Sequence, residues 1–149
     1  IYVHAAEDVG LSDPNALLIA QAAAYAVEFI GMPEARIPLA EAALYIATAP
    51  KSNSVVMAID QALETVRNER TGEVPLHLRD AHHKGAARLG HGVDYKYPHD
   101  YEEGYVAQDY LPPSLRGKTF YRPSPRGYEK TIQKRLDYWL SLKKKSEKK

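Results

Sequence analysis

Two consecutive stretches of the chain are apolar almost all the way round. Between Ala16 and Ile30 the only polar positions are Gln21 and Glu28, seven apart. On a helix that spacing puts both on one narrow stripe. Between Leu39 and Ala49 the strongly polar positions are Glu41 and Thr48, again seven apart. Ser12-Asp13-Pro14 reads as a helix start, with Ser12 or Asp13 as N-cap and Pro14 in the first turn; Gly31 reads as its stop. A helix to about Ile30 is therefore predicted, then a second from Pro38 to just before Pro50, which cannot continue it. A surface helix usually shows a wider polar face. Both helices are rich in alanine, and small side chains let helices approach closely. Such helices are central in a fold or buried by another subunit. A domain of this size has room for one or two central helices, so the pattern points to self-association.

The remaining elements are more conventional. Ile1 to Val9 predicts a helix ending at Gly10; nothing caps its start, so it is expected to be the tail of a helix begun upstream. A helix from about Ser52-Asn53 to Arg70 would bury Val55, Ile59, Ala62, Leu63 and Val66, turning Asp60, Glu64, Arg67 and Asn68 away. A last helix, from about Tyr128 to Leu142, would bury Ile132, Leu136, Trp139 and Leu140; the lysines after it are expected to form a frayed tail. Residues 71–127 are broken by Pro75, Pro98, Pro112, Pro113, Pro123 and Pro125 and by repeated glycines, leaving room for one helix near Ala81–Leu89. Tyr95, Tyr97, Tyr101, Tyr105, Tyr110, Phe120 and Tyr121 supply anchors there. They predict an ordered arm over the helices, with short strands near 95–97 and 119–121. There is no internal repeat.

Composition narrows the class. The chain has 149 residues, 44% hydrophobic and 26% charged, and no cysteine, which excludes disulfides, thiolate metal sites and a cysteine nucleophile. The apolar run from Ala16 to Gly31 is too short and too polar to span a bilayer. The net charge of +1 hides an asymmetry: residues 1–75 carry −6 and residues 76–149 carry +7. The basic half invites an anionic partner; alternatively the halves neutralise each other.

Candidate chemistry is sparse. Gly117-Lys118-Thr119 looks like the end of a phosphate-binding loop, but the glycine that motif needs is Pro112 and no helix opens after it. His77, His82, His83, His91 and His99 cluster with Asp80, yet no metal-ligand spacing links them. Glu7-Asp8 and Glu102-Glu103 are consecutive and need not converge, and no nucleophile-elbow motif is present. Nothing asks for an enzyme. Tyr95-Lys96-Tyr97 and Phe120-Tyr121-Arg122 could stack single-stranded nucleic acid, with Lys96, Arg122, Lys143, Lys144 and Lys145 touching phosphates. The competing expectation is that these tyrosines pack the arm.

Several blocks, in order and over nearly the whole chain, resemble the C-terminal region of the replication-associated recombination protein A (MgsA) family, relatives of the Werner-helicase-interacting ATPases. They are Ala6-Glu7-Asp8-Val9-Gly10-Leu11-Ser12-Asp13-Pro14, Ile30-Gly31-Met32-Pro33-Glu34, Ala49-Pro50-Lys51-Ser52-Asn53, Val74-Pro75-Leu76-His77-Leu78-Arg79, Tyr95-Lys96-Tyr97-Pro98-His99-Asp100 and Gln108-Asp109-Tyr110-Leu111-Pro112. Asp80, His82-His83, Gly85 and Gly90-His91-Gly92 depart from the family's pattern, so no family role is carried onto them.

The resemblance implies an all-α fold: a helical post-AAA+ oligomerisation domain, similar to a clamp-loader collar, with a long irregular, tyrosine-rich C-terminal arm. It divides the chain into the end of a helix at 1–11, a helical domain at 12–93, the arm at 94–127, a helix at 128–142 and a basic tail at 143–149. The implied function is homotetramer assembly for a DNA-dependent AAA+ ATPase acting in replication, recombination and repair at stalled forks. Neighbouring subunits of such ATPases can complete one another's ATP site, so holding them together affects hydrolysis. ATP and Mg would belong to an upstream catalytic region, with no cofactor, metal or catalytic residue in this segment. The implied partners are further copies of the chain, DNA through the parent protein, and single-stranded DNA-binding protein, with no membrane. The implied location is cytoplasmic, at the nucleoid. The subunit contact is placed on Leu18, Ala22, Tyr25, Phe29, Leu44 and Tyr45. Pro50, Lys51, Ser52, Asn53, His77, Arg79, Tyr97 and His99 are the family-motif positions expected to hold structure. A nucleic-acid-binding module using the basic half is the alternative.

Overall fold

A computed structural model describes residues 1–79, 86–89 and 92–146. The expectations for Asp80, His82, His83, Gly85, Gly90, His91, Lys148 and Lys149 lie outside those residues. Among the described residues every regular element is helical and there is no strand, so the chain is all-α. The strands expected near 95–97 and 119–121 do not form. Pro98 and Pro123 interrupt any ladder, and Tyr97 passes straight into a 3-10 turn.

The chain divides into two compact units, the first comprising Ile1–Leu63 with Thr119–Arg135. Its first helix, α1 (Tyr2–His4), runs into a π-helical turn at Ala5–Val9 and a 3-10 turn at Gly10–Ser12. Gly10, at φ 52°, closes the π turn by giving its N–H to Ala5 O. α2 (Asn15–Ile30) follows. Of its two candidate caps Asp13 serves, its Oδ1 accepting the Asn15 N–H at 3.1 Å. The Ser12 hydroxyl is used elsewhere. Gly31, at φ 78°, ends the helix with its N–H on Val27 O. α3 (Arg36–Thr48) begins before Pro38 rather than after it, because a proline in the first turn gives up an N–H that has no helical partner anyway. Ala49 is extended, and Pro50 follows it.

Packing in this unit inverts the usual order of size. α2 lies against α3 and the π turn through Ala5, Val9, Ala16, Ala20 and Ile46, with Tyr45 and Ala49 against them. Ala23, Ala35 and Ala42 are also buried. Small side chains fill the contact, and the larger ones of the same helices point outward.

α4 (Ser54–Asn68) is rotated from its expected orientation, with Val55 and Ala62 of the expected face half-buried. Ser54 and Thr65 are buried and Ala58 and Ala62 half-buried, whereas Ile59, Leu63 and Val66, expected in the core, are exposed. The hydroxyl of Ser54 is drawn inward by a buried carboxylate far along the chain, and that fixes the helix's rotation.

The second unit comprises Glu64–Lys118 with Leu136–Lys149. It contains 3-10 turns at Leu76–Leu78, Ala87–Leu89, Pro98–Asp100, Glu102–Gly104 and Pro113–Leu115, so the helix expected near Ala81–Leu89 shows only a 3-10 turn within its described part. Val106 and Leu115 are buried, and Tyr105 stacks on Trp139 with centroids 6.1 Å apart. α5 (Glu129–Ser146) continues beyond Leu142 through Lys143, Lys144 and Lys145, where a frayed tail was expected. Lysine is a good helix former, cations suit a helix C-terminus, and Lys143 is held by an ion pair with Asp109. On the face expected to be apolar, Ile132 and Leu136 are half-buried while Leu140 is exposed.

Candidate functional site

The outward face of α2 carries a row of large apolar side chains. Leu18, Ala22, Tyr25 and Phe29 follow one another at steps of four, three and four, which keeps them on one side of the helix. Leu18 is 66% exposed, Tyr25 61% and Phe29 78%, and the two rings stack with centroids 5.8 Å apart. Ile30 and Met32 extend the exposed apolar surface past the helix end. On α3, Ile37 and Leu44 are likewise exposed. A stacked aromatic pair left in water is costly unless something covers it.

Tyr45, grouped with these from the sequence, faces the other way. It is half-buried against the core, and its hydroxyl donates to Asp13 Oδ2 at 2.7 Å. That bond, with burial adding to it, holds the phenol above its ordinary pKa. Asp13 thus joins α2 and α3, accepting from Asn15 N with one oxygen and from Tyr45 with the other.

Behind this surface the Pro50-Lys51-Ser52-Asn53 segment is tied down from several directions. Pro50 O and Val9 O each lie 2.5 Å from Ser12 Oγ, whose single proton they share. The Lys51 ammonium donates to Ile46 O near the end of α3. Ser52 N donates to Asp8 O at 2.7 Å, and Ser52 Oγ accepts the Ser54 N–H at the start of α4. Ser54 Oγ in turn donates to Glu129 Oε1. Glu129 is fully buried and also accepts from Tyr121 OH at 2.7 Å and Ser124 N at 3.0 Å. Burial opposes its ionisation, but the donors at Ser124, Ser52, Ser54 and Tyr121 outweigh burial and hold its pKa at about 2. Burial, then the Glu129 bond, pushes the Tyr121 phenol up. Tyr128 N donates to Ser12 O at 2.7 Å, bringing Gly127 (φ 51°) so close that a Cβ there would run into Ser12 and Pro50. Glu129 and Gly127 were not singled out from the sequence as structural residues, and Tyr121 was read only as one of the arm's aromatic anchors. A lone glutamate at a helix start looks like an ordinary N-terminal acid.

In the second unit His77 and Arg79 also hold backbone. His77 Nε2 donates to Asp109 O at 3.0 Å. Arg79 donates to Val74 O at 2.7 Å and pairs with Glu73. The rings of Tyr97 and His99 meet at a tilt of 50°, with centroids 5.0 Å apart. Asp109 pairs with Lys143 and with Arg116, and the Lys143 bond first of all depresses its pKa. Lys143 is therefore engaged within the unit. Tyr95 and Tyr97, which flank Lys96, are more than half exposed. Lys118 of the phosphate-loop look-alike is paired with Glu69, and no helix follows it directly. Among the described residues no three His, Cys, Asp or Glu side chains are grouped to hold a metal ion, and no helix is long and apolar enough to cross a membrane.

A family model described as the C terminus of MgsA AAA+ ATPases matches residues 1–140. Replication-associated recombination protein A of Bacillus subtilis (strain 168) is 46% identical over 144 residues, 96% of this chain and 34% of that protein. The protein of the same name in Escherichia coli (strain K12) is 39% identical over 138 residues, 92% of this chain and 31% of its own. ATPase WRNIP1 of Dictyostelium discoideum is 39% identical over 118 residues, 78% of this chain and 14% of its own. The chain spans about a third of the length of the two bacterial relatives.

Proposed function

Starting from the fact that the chain belongs to the MgsA AAA+ ATPase C-terminal family, we propose that it is the self-association domain of an AAA+ ATPase working in replication and recombination. It assembles copies of the chain into a homotetramer, and it carries out no chemistry of its own. The names of the relatives support the replication and recombination setting. The single observation that carries assembly is the outward row on α2 and α3: alanines are spent on the core while Leu18, Tyr25, Phe29 and Leu44 stay in solvent. An aromatic side chain offers ~150–250 Å². Exposed by about two-thirds, the four offer on the order of 500 Å², most of the ~800 Å² that a standard interface takes from each partner.

The parent ATPase would bind ATP and Mg outside this segment. Holding copies together sets the distance between neighbouring nucleotide sites, through which one subunit can act on the next. DNA and single-stranded DNA-binding protein would be partners of the assembled protein, in the cytoplasm at the nucleoid. Light scattering on a sizing column, over a range of concentrations, tests the assembly. Four times the chain mass is the expected result, and a monomer at every concentration overturns it.

A second reading has one observation behind it. Tyr95 and Tyr97 stand exposed on either side of Lys96, the arrangement a stacking surface for single strands uses. With Lys144 and Lys145 of the same unit reaching phosphates, log affinity for single-stranded DNA would fall linearly with log salt. Binding that ignores salt overturns this second reading.

A further inference from the structure

An open cavity of about 570 Å³ lies wholly within the second unit, between the segment from Lys96 to Ala107 and the C-terminal half of α5. Sites for small ligands typically measure about 300–1,000 Å³. Tyr101, Tyr105 and Tyr138 line the cavity together with Leu142. Tyr105 is stacked on Trp139 with the two ring planes 2° apart, which holds that wall in place. Tyr101 and Tyr138 are 42% and 46% exposed, so a ligand has aromatic surface left to cover. Flat aromatic walls of this kind take a flat aromatic ligand.

Two charged groups share the cavity. Lys96 and Glu103 both line it, and no ion pair joins them. Glu103 sits at φ 64° and ψ 6°, a left-handed conformation that glycine adopts more easily than a residue with a Cβ. A backbone outlier that brings a carboxylate to a cavity is the kind found at ligand sites.

The carboxylate selects among flat ligands. It only accepts hydrogen bonds, and its two oxygens can accept two side by side. Of the common nucleobases, guanine alone presents two adjacent donors, its N1–H and its amino group, on the pairing edge. Adenine and cytosine place an acceptor beside the amino group. Thymine and uracil flank a single N–H with two carbonyls. Each of those four sets a lone pair against Glu103. Lys96 supplies the positive charge that a phosphate needs.

We propose that this cavity binds a guanine nucleotide, with the base against the tyrosines, its N1–H and amino group on Glu103, and its phosphate on Lys96. The nucleotide is free or is one unit of a single strand; in the second case the inference rests on the second reading above, which shares Lys96.

The test titrates the whole chain with guanosine, adenosine, cytidine and uridine monophosphates by calorimetry. Trp139, the single tryptophan of the chain, reports filling of the cavity through its fluorescence, because it stacks on Tyr105. Guanosine monophosphate is expected to bind at least about tenfold more tightly than the other three, the effect of hydrogen bonds to a charged acceptor. Glu103→Gln is expected to erase that preference. Glu103→Gly removes the carboxylate and also relieves the left-handed backbone, so it is expected to melt no earlier than wild type and to show the same loss. Lys96→Gln is expected to weaken guanosine monophosphate and to leave guanosine unchanged. An oligothymidylate carrying one guanine, set against plain oligothymidylate, identifies the source. A guanine preference that Glu103→Gly abolishes shows a unit of a strand; its absence beside selective binding of guanosine monophosphate shows a free nucleotide. No guanine preference in either series, or one that survives in both Glu103 variants, overturns the cavity assignment. Plain oligothymidylate that then still binds with a steep salt dependence leaves the second reading standing alone. If neither oligomer binds while guanosine monophosphate does, the second reading fails and the cavity stands.

Discussion

The carboxylate of Glu129 accepts the hydroxyl proton of Ser54, joining the first residue of α5 to the first residue of α4 across 75 positions of sequence. The bond explains why α4 turns its serine inward and leaves Ile59, Leu63 and Val66 outside. It also makes Glu129 the point where several segments depend on one acceptor. Glu129→Ala leaves Ser54, Tyr121 and Ser124 N without that partner inside the unit. The expected cost is about 3 kcal/mol or more in urea unfolding, since each orphaned buried donor costs ~1–3 kcal/mol. Ser54→Ala removes one donor from a carboxylate that keeps the others, and its cost is expected to be smaller, about 1 kcal/mol.

The same carboxylate makes a prediction about acid. Its pKa is about 2 in the folded chain, against roughly 4.3 for an unperturbed glutamate. A group depressed in the folded state contributes its full stabilisation above the unfolded value and loses it as pH falls through the folded one. The loss therefore falls between about pH 4.5 and 2 and amounts to ~3 kcal/mol. In thermal melts at stepped pH, Glu129→Gln is expected to be less stable than wild type at neutral pH and to show a flatter decline across this window. An identical slope in the two proteins would show that other carboxylates carry the acid limb.

Gly127 differs from the other left-handed glycines in what surrounds it. Gly31, at φ 78° and ψ 175°, has open space around a notional Cβ, so Gly31→Ala meets only the backbone penalty, about 1–3 kcal/mol. At Gly127 the same change also drives a methyl into Ser12 and the Pro50 ring, and it breaks the approach that lets Tyr128 N reach Ser12 O. Gly127→Ala is expected to destabilise by several-fold more than Gly31→Ala in the same denaturant series. Similar costs would mean that the loop shifts freely.

Much of this arrangement was legible in the sequence, and the reasons for the rest are specific. Helix positions followed from Pro14, Gly31, Pro50 and the apolar runs, because punctuation of that kind acts locally. Apart from the strands that do not form and the tail that continues α5, the misreadings concern orientation. The spacing of Val55, Ile59, Leu63 and Val66 identifies an amphipathic face but not what covers it, and the Ser54–Glu129 bond that rotates the helix is a pairing of distant residues. Tyr45 looks like Tyr25 in sequence; Asp13, brought near it by the turn before α2, separates their roles. Lys143 read as a loose tail because its partner Asp109 lies in a segment without regular structure.

The distinction between Tyr25 and Tyr45 gives a paired prediction. Tyr25 and Phe29 touch each other and solvent, so replacing them removes little that holds one chain together. Tyr25→Ser with Phe29→Asp is expected to lower the assembled mass, with the melting temperature changing only as far as assembly itself contributes. Tyr45→Phe keeps the ring and loses the bond to Asp13, so the melting temperature should fall while the mass stays that of wild type. Light scattering and thermal melts on the two variants separate the roles. If Tyr45→Phe dissociates the assembly and the Tyr25/Phe29 variant does not, the interface lies on the other side of α3 and the outward row needs another partner.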